Sequence, residues 1–290
     1  MLAEKRTMAK LNYYRGFSLV EMLVVISTMS LLMTIMMPAL NKAKLYARAV
    51  VCRSNLKQLV LANNGYASDN DGFCVPAADD FWNSSGLSWG LGGFHRWHGA
   101  RDVNNMTFNP AKGPLFGYFG DGKIKECSQI VNFTKDQAAT VNFEAGCGGY
   151  GYNMAYIGSR LSFAGFDKKT SYAQTARLSE IKKPDTTLMF ADTAFLQDNL
   201  LIEYSFAEPP YVVTGGRVYK GYYTTPSIHF RHIGKANIGW SDGHIEPKPM
   251  ADFQINILMT SGTGDEVSNS TAIKNIGWFE PLDNSLFDLK

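Results

Sequence analysis

An apolar run near the N-terminus, interrupted by one acidic residue, constrains this 290-residue chain more than any other feature. The run extends from Phe17 to Leu40, and Glu21 is its only charged residue. Because a helix needs ~20 apolar residues to cross a hydrocarbon core of ~30 Å, we predict a transmembrane helix over residues 17–40. A carboxylate inside a membrane costs on the order of 2.5–3.5 kcal/mol, which makes Glu21 a candidate functional residue. The alternative is a Glu that lies near enough to the helix end to reach the interface.

The residues before this run indicate how the helix is oriented. They carry four basic residues and one acidic residue: Lys5, Arg6, Lys10, Arg15 and Glu4. Because positive flanks stay in the cytoplasm, the sequence predicts a single-pass protein of the cytoplasmic (inner) membrane, with its N-terminus inside. The apolar run is not followed by a small-x-small cleavage site, so we expect the helix to be kept rather than removed as a secretory signal.

The segment Arg15-Gly16-Phe17, with Glu21 four residues after Phe17, resembles the start of type IV prepilins and type II secretion pseudopilins. The resemblance implies that residues 1–16 are a cytoplasmic leader. Prepilin peptidase would cut between Gly16 and Phe17 and methylate the new amine of Phe17. Implied partners are other pilin-like subunits, an assembly ATPase and a membrane platform protein. Glu21 would neutralise the amine of a neighbouring subunit, because opposite charges attract strongly at low dielectric.

Two further predictions concern this helix. Pro38 removes one backbone hydrogen bond and is expected to kink or locally melt the helix, which would ease assembly, although membrane helices also tolerate proline generally. Beyond the membrane, apolar and small residues recur at spacings of four and three: Leu45, Ala49, Cys52, Leu56, Leu59, Asn63 and Tyr66. This stripe predicts that the helix continues over residues 41–68 and packs on a head. Basic residues off the stripe would be solvated or contact membrane lipid headgroups.

Residues 69–290 are long enough for one extracytoplasmic head with its own core. Short apolar runs typical of strands occur at residues 187–191, 210–214 and 236–240. Asp242-Gly243 follows the last run and predicts a tight hairpin with positive φ at both positions. We therefore predict an α+β fold, in which a long N-terminal helix, transmembrane in its first half, packs on a head with an antiparallel β-sheet. Pilins share this arrangement.

A second resemblance lies near the C-terminus, where His232 is followed after nine residues by Asp242-Gly243. This pattern over residues 232–243 resembles the processing-associated domain of many pilin-like proteins, a resemblance that assigns no role to these residues. Metal ligation is one interpretation of the side chains that a hairpin would bring together: His229, His232, Asp242 and His244. Structural roles are favoured, because a strand puts His229 and His232 on opposite faces and the turn already accounts for Asp242.

Four cysteines allow three pairings, and a head outside the cytoplasmic membrane lies where disulfides form. The same resemblance places Cys52 and Cys127 at recurring positions. It implies a disulfide between them that ties the helix to the sheet. Cys74 and Cys147 would then be free or paired with each other.

Asp69-Asn70-Asp71-Gly72 gathers oxygen ligands at the predicted helix end. Several major pseudopilins carry calcium in the head, so Asp69 and Asp71 are calcium candidates. The match is weak, because the Glu that an EF-hand needs at its twelfth position is missing. A turn that ends the helix explains the same residues, and no other cofactor is predicted.

An aromatic, Gly-rich stretch extends from Asp80 to Gly99 and contains Phe81, Trp82, Trp89, Phe94 and Trp97. We expect a long loop that folds back and buries these rings as a satellite core. The alternative is a surface that binds sugar rings or partner proteins.

The predicted function is structural. A net charge of +2 without a basic, aromatic stripe gives no indication of nucleic-acid binding. Nucleophile elbows, zinc-protease motifs and phosphate-binding loops are missing from the sequence, so we predict that the chain is not an enzyme. We predict a pilin-like subunit of a type IV pilus or type II secretion pseudopilus. The alternative is a membrane-anchored surface protein whose carbohydrate-binding or catalytic head does not polymerise.

Overall fold

The computed structural model describes residues 16–81, 93–102, 107–120, 124–130, 144–164, 170–197, 200–252 and 274–290. The chain divides into two compact units, Met1–Lys44 and Leu45–Lys290. Residues 1–15 of the predicted leader lie outside the described residues, as do Trp82 and Trp89 of the predicted aromatic loop.

The predicted long N-terminal helix is confirmed as α1, Leu19–Asp69. In the described part of the chain, α1 is the one helix long and apolar enough to span a membrane. All residues from 16 to 48 are exposed. Hydroxyls in the apolar part donate to backbone carbonyls three or four residues earlier, in Ser27, Thr28, Ser30 and Thr34. These polar groups are therefore satisfied within the helix, as a lipid environment requires.

The second part of α1 carries the predicted stripe. Its buried members begin one turn later than expected: Ala49, Cys52, Leu56, Leu59 and Asn63. The expectation for Leu45 is wrong, because its side chain is 38% exposed and burial starts only at Ala49. Fully burying a Leu or Val stabilises a fold by ~1.5–3 kcal/mol, so this stripe is a major attachment of the helix to its head.

A left-handed turn ends α1 within the predicted cluster of turn-forming residues. Asp71 and Gly72 have φ values of 51° and 82°. The Gly72 amide donates to the Ala67 carbonyl at 2.8 Å, which satisfies one of the carbonyls that a helix end leaves open.

The head of residues 45–290 contains many short elements. Its strands are β1 (His95–Arg96), β2 (Gly99–Ala100), β3 (Tyr150–Tyr152), β4 (Leu188–Asp192), β5 (Phe195–Gln197), β6 (Leu200–Ile202), β7 (Tyr211–Thr214), β8 (Arg217–Tyr223), β9 (Ile228–His229), β10 (Lys235–Trp240), β11 (Ile245–Pro249) and β12 (Ile276–Gly277). Short helices are α2 (Leu161–Ala164) and α3 (Thr170–Ala173), with 3₁₀ turns at Pro110–Lys112, Phe116–Tyr118 and Leu178–Glu180.

The principal sheet has the order β11-β10-β4-β3, and all of its described pairings are antiparallel. Two of the predicted strands lie in it as β4 and β10. The third, β7, pairs instead with β8 in a separate two-stranded ribbon, so its placement in one common sheet was wrong. Apolar runs predict a strand but not its partner, because pairing is decided by tertiary contacts.

The second part of α1 packs directly on this sheet. A Cβ atom added to Gly239 of β10 would lie 2.7 Å from Val60 Cγ2. Asn63 donates to the Tyr152 hydroxyl at 3.2 Å, which joins the helix to β3 as well. Glycine on β10 thus permits the close approach of helix and strand.

The hairpin turns differ from the predicted ones. Gly243 has φ 95°, but Asp242 does not have positive φ, and the Gly243 amide donates to the Trp240 carbonyl at 2.9 Å. The β10–β11 connection is therefore a longer turn than the Asp-Gly pair suggested. The tight turn with two positive φ values, 56° and 75°, lies at Ile233-Gly234. A β-branched residue rarely adopts this conformation, so sequence gave no signal for it.

The described rings of the aromatic stretch fold back onto the head, where Phe81 and Phe94 are half-buried. Trp97 and Phe81 pack in or against the main core, so the expected separate satellite core is wrong. Trp97 is buried and donates to the Ser205 carbonyl at 2.7 Å. Beside it, Arg96 and Glu144 form a buried ion pair with nitrogen and oxygen 2.7 Å apart. The position of this pair beneath the aromatic rings was not predicted.

Candidate functional sites

The predicted cleavage site precedes the first turn of α1. Gly16 and Phe17 are exposed and non-helical. Ser18 and Glu21 form a reciprocal cap: the Ser18 amide donates to Glu21 Oε2 at 2.8 Å, and the Glu21 amide donates to Ser18 Oγ at 3.2 Å. This capping box is encoded by Ser-x-x-Glu and was missed in the sequence. Glu21 consequently has a role in helix initiation within the chain itself.

Pro38 lies within α1, and the helix continues through it. The expected local melting is therefore not observed. The contribution of Pro38 to assembly stays a prediction.

The side chains of the His-x9-Asp-Gly element lie at two separate places. His232 is buried, whereas Asp242 Oδ1 contacts His244 Nδ1 at 2.7 Å in a partly exposed pair. His229 is buried on β9, with Nδ1 3.4 Å from Arg231. These four predicted candidates do not assemble one metal site, because His232 lies instead beside two cysteines.

The structure brings the two predicted cysteines together. Cys52 Sγ on α1 and Cys127 Sγ lie 2.7 Å apart, and both are free and buried. This separation is less than 1 Å longer than a disulfide bond of ~2.05 Å. Cys74 and Cys147 are also free and buried. The disulfide itself stays a prediction, but its two sulfur atoms are in place.

Two basic side chains contact the Cys127 sulfur. Arg231 Nε donates to Cys127 Sγ at 3.2 Å, and His232 Nε2 lies 3.6 Å from it. Asp192 orients both basic groups, with Oδ1 2.8 Å from Arg231 and Oδ2 3.3 Å from His232. The carboxylate also accepts from the backbone and side chain of Asn237 at 2.7 and 2.8 Å.

This network shifts the protonation of its members. The hydrogen bond from Cys52, then the charge of Arg231 and the hydrogen bond from His232, lower the pKa of the Cys127 thiol well below its usual range despite its burial. The same hydrogen bond and burial raise the pKa of Cys52. Burial alone lowers the pKa of His232, but its bonds to Asp192 and Cys127 outweigh this and raise it to about 9. The reduced site therefore favours a thiolate beside an imidazolium.

The other end of the element contacts the same helix. Lys57 Nζ on α1 donates to the Gly243 carbonyl. Because His232 lies beside the Cys52–Cys127 pair, both ends of the element hold α1 against the sheet. Lys57 and Asp192 were missed as members of this site. No sequence signal links them to it, because their partners lie far away along the chain.

The calcium candidates lie where α1 ends. Asp69 accepts a hydrogen bond from the Tyr118 hydroxyl at 2.9 Å, and Asp71 lies in the left-handed turn. These positions fit the turn that ends the helix, and calcium at this place stays a prediction. A second acidic group, Asp79, Asp80 and His95, has its ligand atoms near one another. Asp80 is already bonded to the amides of Phe94 and His95.

Comparison with known proteins identifies the N-terminal segment. No curated protein and no solved structure matches the chain. The family model of the prokaryotic N-terminal methylation motif matches residues 11–37. This range contains Gly16, Phe17 and Glu21, the residues that carry the first resemblance. The chain therefore carries a pilin-like prepilin segment, which includes the first part of α1, residues 19–37.

Proposed function

We propose that the chain is a pilin-like structural subunit of a type IV pilus or type II secretion pseudopilus. Prepilin peptidase cuts the Gly16–Phe17 bond on the cytoplasmic side and methylates the new amine. An assembly ATPase and a platform protein drive assembly, and the subunit itself is not an enzyme. The observation that carries the proposal is the methylation motif on helix α1, whose side chains are exposed from Leu19 to Arg48.

Exposure of this helix supports assembly as well as anchoring. A helix whose apolar side chains contact nothing within its own subunit needs lipid or other copies around it. Lipid supplies this environment before assembly, and neighbouring helices supply it in a filament. In the filament, Glu21 accepts the charged amine of Phe17 from an adjacent subunit, and neither charge is then left unpaired.

The Ser18–Glu21 cap allows the charge of Glu21 to be tested apart from its capping role. Glu21→Gln removes the charge but keeps an acceptor that can cap the helix, because Gln also serves at this position. Ser18→Ala removes the side-chain half of the cap, in which Ser18 Oγ accepts from the Glu21 amide, and keeps the charge of Glu21. We expect Glu21→Gln to be cleaved and stable in the membrane but absent from sheared filaments, and Ser18→Ala to assemble.

The outcome is measured by immunoblotting of the membrane and filament fractions. If Glu21→Gln assembles as the unchanged protein does, the neutralising role of Glu21 is refuted. If Ser18→Ala fails as well, Glu21 acts through the helix cap. A chain that never enters filaments refutes the subunit proposal itself.

Cleavage is tested separately by replacing Gly16. Gly16→Leu places a bulky side chain at the cut bond and should leave the precursor about 16 residues too long, as its predicted leader length requires. Intact mass of the membrane-extracted protein reports the length and the methyl group together. Normal processing of this variant would show that prepilin peptidase does not cut here.

A second candidate is a displayed, non-polymerising surface protein. It is favoured by strand β8, on which Tyr219 and Tyr222 are 42% and 64% exposed. The two ring centroids lie 6.4 Å apart, and exposed aromatic rings suit stacking on sugar rings. If this candidate is correct, Tyr222→Ala weakens binding to polysaccharide in a pull-down, and Glu21→Gln leaves surface display unchanged.

A further inference from the structure

The cysteine pair beside the His-x9-Asp-Gly element is built from distant parts of the chain. Cys52 comes from α1, Cys127 from a loop before β3, and His232 from the turn between β9 and β10. All three are buried. Asp192 on β4 fixes both basic groups through its two oxygens, 2.8 and 3.3 Å away. An arrangement contributed by four segments holds its side chains in defined positions.

Cys52, Cys127 and His232 also have ligand atoms close enough together for a metal ion. Two features argue against this use. The Arg231 guanidinium donates to Cys127 Sγ at 3.2 Å and repels a cation at that sulfur. The two sulfurs are 2.7 Å apart, whereas thiolates on one tetrahedral zinc with bonds of ~2.3 Å stand ~3.8 Å apart. Both features fit thiol–disulfide chemistry.

We propose that Cys52 and Cys127 are a redox-active pair, interconverting between dithiol and disulfide, in which Arg231 and His232 stabilise the thiolate of Cys127. Arg231 and His232 are positioning residues for this site. The proposal gives His232 a chemical role and goes beyond filament assembly, with which it shares no residue. It differs from a purely structural disulfide, because stabilising the thiolate favours the reduced state.

Oxidation requires a disulfide of the oxidoreductase or glutathione class. The Cys127 thiolate attacks one sulfur of that disulfide, and the other sulfur leaves as a thiolate and takes the proton of Cys52. The Cys52 thiolate then attacks Cys127 Sγ, which forms the Cys52–Cys127 bond and releases the second external sulfur. His232 supplies the proton that this sulfur takes up. Two cysteine thiols are oxidised, and one external disulfide becomes two thiols.

The protonation of His232 follows the redox state in this scheme. In the dithiol state, the imidazolium balances the Cys127 thiolate, and Arg231 pairs with Asp192. In the disulfide Cys127 carries no negative charge, so the pKa of His232 is lower than in the dithiol state. Among the described residues, the titratable or charged groups that act on the Cys127 sulfur or the His232 imidazole include Cys52, Tyr150, Asp192, His229 and Arg231.

Both sulfurs are buried, so exchange needs a local opening, and an equilibrium measurement tests the proposal better than a rate. Full-length protein in detergent is brought to equilibrium from both directions in glutathione buffers of graded ratio. Differential alkylation and peptide mapping give the fraction of Cys52–Cys127 disulfide. We expect a mixture of both states within this range. Charge-assisted hydrogen bonds contribute enough that His232→Gln should shift the equilibrium towards the disulfide about tenfold, or ~30 mV.

His244→Gln is the matched control. His244 lies in the same element but contacts Asp242 instead of the cysteines, so its equilibrium should equal that of the unchanged protein. Circular dichroism of each variant shows whether it is folded. The proposal is overturned if the pair stays wholly oxidised or wholly reduced across the range, or if His232→Gln and His244→Gln behave alike.

A measurement on the unchanged protein covers the case in which His232→Gln does not fold. Titration of the imidazole ¹⁵N signals, with His232 identified by its proximity to Cys127, gives the His232 pKa in both redox states. We expect a pKa lower by about one unit or more in the oxidised protein, because an anion beside the ring is lost. Equal pKa values in both states would contradict thiolate stabilisation by His232.

Discussion

The approach of α1 to strand β10 depends on one glycine, and replacing it should separate the two. A Cβ at position 239 would lie 2.7 Å from Val60 Cγ2 and 3.3 Å from Leu56 Cγ. Carbon atoms pack at ~3.5–4.0 Å, so the first contact is too close by ~0.8 Å or more. Valine in a helix has one strongly preferred rotamer and cannot simply turn away. Gly239→Ala should therefore destabilise the head by about 1–3 kcal/mol, as overpacking does.

A second substitution tests whether this contact is the cause. Val60→Ala removes the methyl groups that the new Cβ would meet, and by itself should cost about 2 kcal/mol for the cavity it leaves. In the double variant the added methyl lies in that cavity. The double variant should therefore lose less stability than the sum of the losses in the two single variants, and the difference should be about 1–2 kcal/mol.

Denaturant unfolding of the full-length protein in detergent, followed by tryptophan fluorescence, measures these free energies. Gly117→Ala is the control, because a Cβ there meets nothing within 4 Å. It should change the free energy of unfolding by less than about 0.5 kcal/mol. Full additivity of Gly239→Ala and Val60→Ala, or a Gly239→Ala variant as stable as the unchanged protein, would refute the packing of helix on strand described above.

Two other predictions concern the head. Burial by itself would raise the pKa of Glu144. The effects of Arg96 and then of His98 are together larger and lower this pKa from 4.5 to about 2. A depressed pKa stabilises the folded state above pH 4.5, and about 3 kcal/mol of this stability should be lost as pH falls from 4.5 to 2. In acid unfolding experiments, Glu144→Gln should remove this pH dependence. Ile233→Asn should raise the free energy of unfolding in denaturant by about 1 kcal/mol, because Asn tolerates the φ of 56° better, whereas Ile233→Val should give no gain.

Much of the architecture could be predicted because its signals are local. The apolar run, the spacing of four and three, and the turn formers after Ser68 gave α1 to within two residues at either end. Strands β4 and β10 were recognised for the same reason, since a short apolar run between turn residues needs no distant partner to be seen.

Two predictions failed because contacts between distant residues overrode or extended a local signal. Asp242-Gly243 is the common signal for a tight hairpin, yet the tight turn formed at Ile233-Gly234, where paired backbone hydrogen bonds between His232 and Lys235 close a conformation that isoleucine disfavours. Strand β7 was recognised but assigned to the wrong sheet. Strand partners depend on packing that a short sequence window does not contain.

The methylation-motif segment and the long helix could be recognised from sequence, because their signals lie along one continuous stretch. Gly16, Phe17 and Glu21 fall within the matched residues 11–37. The contacts of His232, by contrast, depend on how the chain folds. Cys127 and Asp192 lie 105 and 40 residues from it along the chain, and only the folded sheet with α1 packed on it brings a thiol, a carboxylate and an imidazole within hydrogen-bonding distance.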